Sequence, residues 1–468
     1  MQTFLICLTL LVVAYFTYGR YLEKVCEIDS SNPVPSKTHY DGVDYLPLPR
    51  WRIFLIQLLN IAGLGPIFGA IMGAKFGTAS FLWIVLGSIF AGATHDYIAG
   101  MLSLRNSGEN LPDIIGRYLG KNAKLIMRIF TIVLMVLVGA VFVAGPAGLI
   151  ANLTPSALNT TSWMIVIFLY YLLATLLPID KIIGRVYPIF AVALLFMAIG
   201  VLVMLYVNMP VLPEIWDGLA NTHPDAEKLP IFPIMFVSIA CGAISGFHAT
   251  QSPLMARCMK KEKYGRPVFY GAMIVEGIVA LVWAAAATYF FQKNGMGESN
   301  AAVIVNDITN SWLGTIGGIL AILGVIAAPI TSGDTALRSA RLIIADFFNI
   351  EQKSIKKRLL ICVPMFACTF LLLLYSLRDA AGFDLIWRYF SWANQTLSVF
   401  TLWAITVFLV RERKGLCFII TLVPALFMTA ICASYICVAP EGFGILPDFS
   451  LVIASVVAVI SIVLFSIW

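Results

Sequence analysis

The sequence predicts an all-α, polytopic membrane protein of about thirteen transmembrane helices, built as a five-plus-five inverted repeat with two broken helices plus peripheral helices. Three observations lead there. The 468-residue chain is 60% hydrophobic and 12% charged, with a mean hydropathy of +0.91, whereas soluble domains carry about 25% charged residues. That much apolar surface exceeds what one chain can cover internally, so lipid must solvate the rest. The apolar residues fall in runs of roughly 20, the length that crosses a bilayer as a helix. Two runs, five spans apart, are interrupted mid-span by glycine or proline, which weaken or break helices.

The runs centre near residues 10, 62, 90, 139, 170, 197, 241, 280, 322, 368, 398, 426 and 458. The first, Phe4 to Tyr18, lacks a basic n-region and a clear small-residue cleavage site, and reads as a retained anchor helix rather than a signal peptide. Residues 1–50 are therefore a peripheral helix and a cytoplasmic linker, whose polar stretch 27–49 holds Pro33, Pro35, Pro47 and Pro49. Residues 51–209 make the first five-helix unit. Residues 210–230, too polar to span, form an extracellular segment. Residues 231–411 make the second, inverted five-helix unit, and 412–468 two more peripheral helices.

Charge orients this arrangement. The connections 20–50, 103–124, 179–186 (Lys181, Arg185), 256–266, 338–358 and 411–414 (Arg411, Arg413, Lys414) are basic, while 153–162 and 436–449 hold no Lys or Arg. The positive-inside rule puts the basic set in the cytoplasm, with the N-terminus outside and Trp468 inside. The net charge of +6 belongs to these loops and is not a nucleic-acid signal. The nine cysteines form no CxxC pair and the four histidines are dispersed, so neither a zinc site nor a disulfide framework is indicated.

The first interrupted run contains Asn60-Ile-Ala-Gly-Leu-Gly-Pro-Ile-Phe-Gly69, and the second Ser238-Ile-Ala-Cys-Gly-Ala-Ile-Ser-Gly-Phe-His248. Broken backbone inside a bilayer is tolerated only against protein or a polar cavity. At each break the first half-helix offers carbonyls to a cation, and the restarted half offers amides and a positive dipole end to an anion. Gly63, Gly65, Pro66, Gly242, Ser245 and Gly246 are thus candidates for holding a substrate carboxylate, with His248 and Gln251 just beyond. The same glycines would also serve plain close helix packing.

Further along, Ala328-Pro-Ile-Thr-Ser-Gly-Asp-Thr-Ala336 clusters Thr331, Ser332 and Asp334 within about one turn. Their oxygens suit a small hard cation such as sodium. Alternatively the hydroxyls bond back to their own helix and Asp334 pairs with Arg338. His95-Asp96 in the third run could relay a proton, or anchor an inner gate by pairing with Arg105 or another basic residue of that loop. Glu276 is an intramembrane acid with no evident sequence partner, and so a proton-coupling candidate. The eleventh run carries Arg388, Ser391, Trp392, Asn394 and Gln395 on a face that could line an outer cavity or act as polar glue.

Several of these stretches resemble the carbon-starvation protein A family: Asn60-Ile-Ala-Gly-x-Gly-Pro66, Phe81-Leu-Trp-Ile-Val-x-Gly87 with His95-Asp96, Ser245-Gly-Phe-His-Ala-Thr-Gln-Ser-Pro253, Thr331-Ser-Gly-Asp-Thr-Ala-x-Arg-Ser-Ala-Arg341 and Trp392-Ala-Asn-Gln-Thr396. The resemblance implies a bacterial inner-membrane importer linked to nutrient scavenging, a pyruvate:proton symporter or peptide uptake protein. It also implies kinship with the amino acid, polyamine and organocation transporters. In sodium-coupled relatives of that superfamily a cation sits between the first broken helix and an Ala-x-x-Thr-Ser segment. Ala328, Thr331 and Ser332 match that pattern, with carbonyls near Ile61 and Gly63 as the other half. This chain is shorter than larger members, mainly toward the C-terminus.

The expectation is an ion-coupled secondary importer of a small carboxylate-bearing nutrient, with lipid, substrate and a coupling ion (sodium or a proton) as partners. No nucleic acid and no further cofactor are expected, and oligomeric state is left open. The alternatives are a proton-driven amino-acid or dipeptide symporter and a nutrient receptor that binds without transport. An intramembrane enzyme is disfavoured, because neither paired aspartates, a Ser–His arrangement nor HExxH occurs in a credible frame.

Overall fold

The computed structural model describes residues 1–151, 154–155, 157–176, 183–296, 301–352, 354–378, 382–412 and 415–467. The basic connections expected at Lys181 and Arg185 and at Arg413–Lys414, and part of the 153–162 loop, lie outside the described residues or side chains. Among the described residues the chain is helical throughout, with no strand.

Nine described helical stretches are long and apolar enough to cross a membrane, ten if Arg50–Ile61 and Gly65–Ala74, bent by 55° at their break, count as one span. The thirteen runs read from the sequence do not all pass that test. Thr160–Leu176 is short. The second interrupted run is divided into pieces, and the ninth lies within Ala301–Phe348, whose helical course is broken by a kink at Gly314. The most buried of the nine are Glu262–Asn294 and Ala79–Arg105, at 89% and 83%, whereas Phe449–Ile467 is 11% buried. The former pair forms the centre of the bundle, and the last helix is a peripheral addition, as expected. Spans between these extremes present an apolar stripe outward. Leu125, Ile129 and Val133, four residues apart on Lys121–Ala151, are each about half exposed, which only lipid makes tolerable.

Both interrupted runs are broken. The first half-helix ends at Ile61, the chain leaves helical geometry at Ala62, and Gly65–Gly69 restarts it as a π-helical turn leading into Ala70–Ala74. The second run opens with a π-turn, Ile231–Met235, and the single helical turn Phe236–Ser238. It breaks at Ile239, and resumes as Gly246–Ala256 after an extended Ser245. Two more π-turns, Gly87–Gly92 and Arg266–Tyr270, lie in the third and eighth runs. Such turns insert one residue into the helical repeat and concentrate at functional sites.

The two breaks lie directly against each other. A β-carbon on Gly65 would overlap the Cys241 side chain, one on Gly69 would come 2.7 Å from the Ser238 carbonyl oxygen, and one on Gly242 would stand 3.7 Å from Cα of Pro66. The absent side chains of Gly65 and Gly69 are what let the second segment approach.

At the end of the bundle opposite residues 210–230, the 27–49 linker is tightly docked. Ser36 donates to the Met259 carbonyl, Leu48 N to the Cys258 carbonyl, and Arg257 stacks on Tyr45 at 5.0 Å. Asp44, 2% exposed, lies 3.3 Å from both Arg338 and Arg341, which are themselves fully buried on Ala301–Phe348. Burial raises the pKa of Asp44, but Arg341, Arg338 and Arg257 outweigh it and hold the group below the ordinary carboxylate range.

Candidate functional site

Four titratable side chains that the sequence scatters over 182 residues form one buried chain. His95 and Asp96 follow the π-turn Gly87–Gly92, and that extra residue sets the face they present. His248 comes two residues after the second helix restarts at Gly246. Glu276 is on Gly271–Asn294. His95 Nδ1 is 2.8 Å from Asp96 Oδ1, and His248 Nδ1 is 2.9 Å from Asp96 Oδ2. His248 Nε2 is 3.5 Å from Glu276 Oε2. All four side chains are completely buried.

The chain cannot be filled arbitrarily. With Asp96 and Glu276 both ionised and both imidazoles neutral, the cluster carries two negative charges out of reach of water. Burial of uncompensated charge costs several kcal/mol per ion, so neutrality requires two further protons shared among the four groups. Among the described residues, no group of three or more His, Cys, Asp or Glu side chains is arranged to hold a metal ion.

This geometry bears on one expected partner of His95–Asp96. Arg105 is engaged with Glu262 at 2.8 Å, and Asp96 faces the two histidines, so the pair is not an Arg105 anchor. Glu276, without a sequence partner, has one in space.

Around the second break, Asn394 and Gln395 clasp the two half-helices. Asn394 Oδ1 accepts from Phe247 N at 2.6 Å and from the Ser245 hydroxyl at 3.0 Å, while Gln395 Nε2 donates to the Phe236 carbonyl at 2.7 Å. The Asn394 oxygen therefore sits on the helix start expected to receive a substrate carboxylate. Gln251 donates to Thr250 at 2.8 Å, and its Oε1 has no hydrogen-bond partner.

The Ala328–Ser332 segment lies apart from the His–Asp–His–Glu chain. Thr331 donates back to Ala327 and Ala328 within its own helix. Ser332 Oγ lies 2.9 Å from both the Ala328 carbonyl and the Leu59 carbonyl, so it does join this helix to the first broken segment. The carbonyl reached is that of Leu59, one turn before the break; the Ile61 carbonyl accepts from Gly63 N. Asp334 accepts from the Tyr187 hydroxyl at 2.5 Å, a partner 147 residues away that no i,i+4 rule could name.

A cavity of about 320 Å³ lies beside Ala70–Ala74 and Phe236–Ser238, on the side of residues 210–230. Met72, Phe76, Val237, Trp387, Arg388 and Glu441 are among its walls. Sequence reasoning placed Arg388 and Ser391 on such a face but missed Glu441, which sits in a loop with no motif around it.

The sequence profile of the family described as Carbon starvation protein CstA matches residues 1–156, 148–311 and 293–434. A membrane protein of Haemophilus influenzae is 42% identical over 63% of this chain and 92% of its own length. A protein of Bacillus subtilis named peptide transporter CstA is 27% identical over 83% of this chain and 82% of its own. One of Escherichia coli named pyruvate/proton symporter BtsT is 28% identical over 59% of this chain and 47% of its own length, so this chain spans about half of that relative. Among solved structures, MhsT in complex with L-phenylalanine superposes with a TM-score of 0.60 at 14% identity, over 90% of this chain and 98% of that one. A mutant of the Eremococcus coleocola manganese transporter gives 0.58 at 11% identity, over 91% and 97%. These likenesses carry the fold, that of inverted-repeat membrane transporters with two broken helices. The chain is a transporter of that fold, not an enzyme, and it belongs to the carbon starvation protein CstA family.

Proposed function

We propose that the protein imports a small carboxylate-bearing nutrient (pyruvate, an amino acid or a short peptide) across a bacterial inner membrane by alternating access, driven by protons. Its N-terminus would lie outside and its C-terminus in the cytoplasm. The observation that carries the proton is the buried chain His95–Asp96–His248–Glu276 at the second break. Its charge balance depends on how many protons it holds, and its central histidine is two residues into the restarted helix. Loading or removing a proton there alters the electrostatics of the break, where the cargo carboxylate is read to bind. The four runs that contain the π-turns, with the two breaks at their centre, then rock against the remaining helices. The name of the E. coli relative, a pyruvate/proton symporter, supports the same ion.

A second reading rests on Ser332 bridging to the Leu59 carbonyl. The hydroxyls of Thr331 and Ser332 with that carbonyl are oxygen donors of the kind sodium takes, and would place the cation between the first broken segment and Ala301–Phe348.

Proteoliposomes with separately imposed proton and sodium gradients test both. Uphill accumulation of labelled pyruvate, amino acid or dipeptide on an inward proton gradient alone supports the proposal. Accumulation that follows sodium and ignores pH replaces it with the second reading. Binding without accumulation under either gradient makes the protein a receptor.

A further inference from the structure

A line of aromatic rings leads from Trp387, in the wall of the cavity beside the 210–230 segment, to Phe247 at the second break. Trp387 lies 6.3 Å from Phe68 and 5.5 Å from Phe390, Phe390 lies 5.7 Å from Phe142, and Phe142 lies 6.2 Å from Phe247. The Phe142 ring is also what a β-carbon on Gly63 would strike. The cavity thus lies next to the second break, with Ser238 in its wall and the aromatic rings beyond it.

Its carboxylate and its guanidinium form one ion pair. Arg388 Nε is 3.2 Å from Glu441 Oε2, and the Tyr435 hydroxyl donates to Glu441 Oε1 at 2.8 Å. The two ends differ in access: the Arg388 side chain is 46% exposed and that of Glu441 only 3%. A ligand can reach the guanidinium, while the carboxylate is held in place at the wall. Besides His223, Ser238 and Ser391 the lining is apolar, with Met72, Phe76 and Trp387 among its walls.

This asymmetry selects a ligand class. A simple carboxylate that takes Arg388 strips Glu441 of its counter-charge and leaves a nearly buried anion with a hydroxyl alone, which is costly. A ligand bearing an ammonium as well repays that loss: its carboxylate docks on Arg388 and its ammonium on Glu441. An α-amino acid carries both groups on one carbon, so it can insert into the pair without forcing it far apart. The volume of about 320 Å³ is at the small end of ligand sites, and the apolar walls call for an apolar side chain.

We propose that this cavity is a reception site for a small zwitterion with an apolar side chain, held between Arg388 and Glu441 before it passes the aromatic rings. The inference rests on the transport reading for its purpose, but its chemistry is testable by binding alone.

The test uses purified full-length protein in nanodiscs and three matched probes: L-leucine, its oxo-acid α-ketoisocaproate, and isoamylamine. Leucine is expected to bind at least tenfold tighter than either. Arg388→Gln should weaken leucine at least tenfold, and Glu441→Gln should bring leucine down to the level of α-ketoisocaproate. Tyr435→Phe keeps both charges, and should reduce the preference only partly if Glu441 is positioned by that hydroxyl. The wild-type probe ratio stands even if a variant fails to fold. The proposal is overturned if α-ketoisocaproate binds as tightly as leucine, if leucine does not bind, or if folded Arg388→Gln and Glu441→Gln variants leave the preference unchanged. Uphill uptake measured on the same preparation separates the two ideas. Uptake without the leucine preference sinks the reception site alone, and the preference without uptake sinks the transport reading alone.

Discussion

His248 Nδ1 stands 2.9 Å from Asp96 Oδ2, a contact between helices 152 residues apart in the chain. It joins two candidates that sequence reasoning treated separately, and makes Asp96 the shared acceptor of two histidines. Asp96→Asn keeps the shape and removes the charge. It is expected to abolish proton-driven accumulation, bringing the internal-to-external cargo ratio to about one, while exchange of cargo across the liposome membrane persists. Glu276→Gln should leave uptake less dependent on external pH. If Asp96→Asn still accumulates cargo uphill on a proton gradient, the chain is structural.

Ser332 separates the two coupling ions. Ser332→Ala removes a hydroxyl that joins two helices, a loss of about 1 kcal/mol, and Thr331→Ala removes one that bonds only to its own helix. Under proton coupling, both variants should keep their pH-driven uptake within about a factor of three, with a modest stability loss for Ser332→Ala. A specific loss of sodium-dependent uptake in either variant would instead favour the cation site.

Gly65 has no room for a side chain, because a β-carbon there overlaps Cys241 on the opposite break. Gly65→Ala should destabilise by about 1–3 kcal/mol through overpacking and slow transport more than it weakens binding. Cys241→Gly on that background should recover part of the loss. The double-mutant cycle measures the coupling, and strict additivity would show that the segments do not meet there.

Asp44 predicts an acid limit. Its pKa is depressed in the folded protein, since three arginines outweigh burial. A depressed carboxylate contributes stability that is present above its unfolded value, near 3.9, and lost as pH falls through the folded one. This contribution should therefore be flat between about pH 5 and 7 and disappear only below the ordinary carboxylate range. Asp44→Asn removes the carboxylate that faces Arg338 and Arg341 and should cost about 3–5 kcal/mol at neutral pH. Thermal unfolding in detergent checks both statements: a wild-type-minus-variant difference in melting temperature that changes between about pH 5 and 7 refutes the first, and no difference at neutral pH refutes the second.

What was legible in the sequence is what a single stretch of chain decides. Glycine and proline inside an apolar run announce a broken helix wherever the run is, so both breaks were readable before any contact was known. Glu276 and His248 were readable as intramembrane polar residues, but not as neighbours, because their separation is set by the packing of helices and not by spacing. Asp334 shows the limit of local rules: Arg338 is one turn away in sequence, yet the hydrogen bond comes from Tyr187. Asp44 was opaque for another reason. In a proline-rich polar linker nothing distinguishes a solvated aspartate from one pressed onto two buried arginines. The helix start at Gly246 was read as a donor site for a substrate carboxylate; its Phe247 amide donates instead to Asn394, from a helix nearly 150 residues later, which no local pattern could name.

The π-turn Gly87–Gly92 has a rotational consequence. An α-helix advances about 100° per residue, so the one residue added to that turn sets the azimuth of everything after it, including His95 and Asp96. Deleting a single glycine there would leave composition and hydropathy nearly intact, yet swing both side chains roughly a quarter-turn away from His248. The alignment of the buried relay is thus a matter of phase, stored upstream in a stretch that contains none of its members.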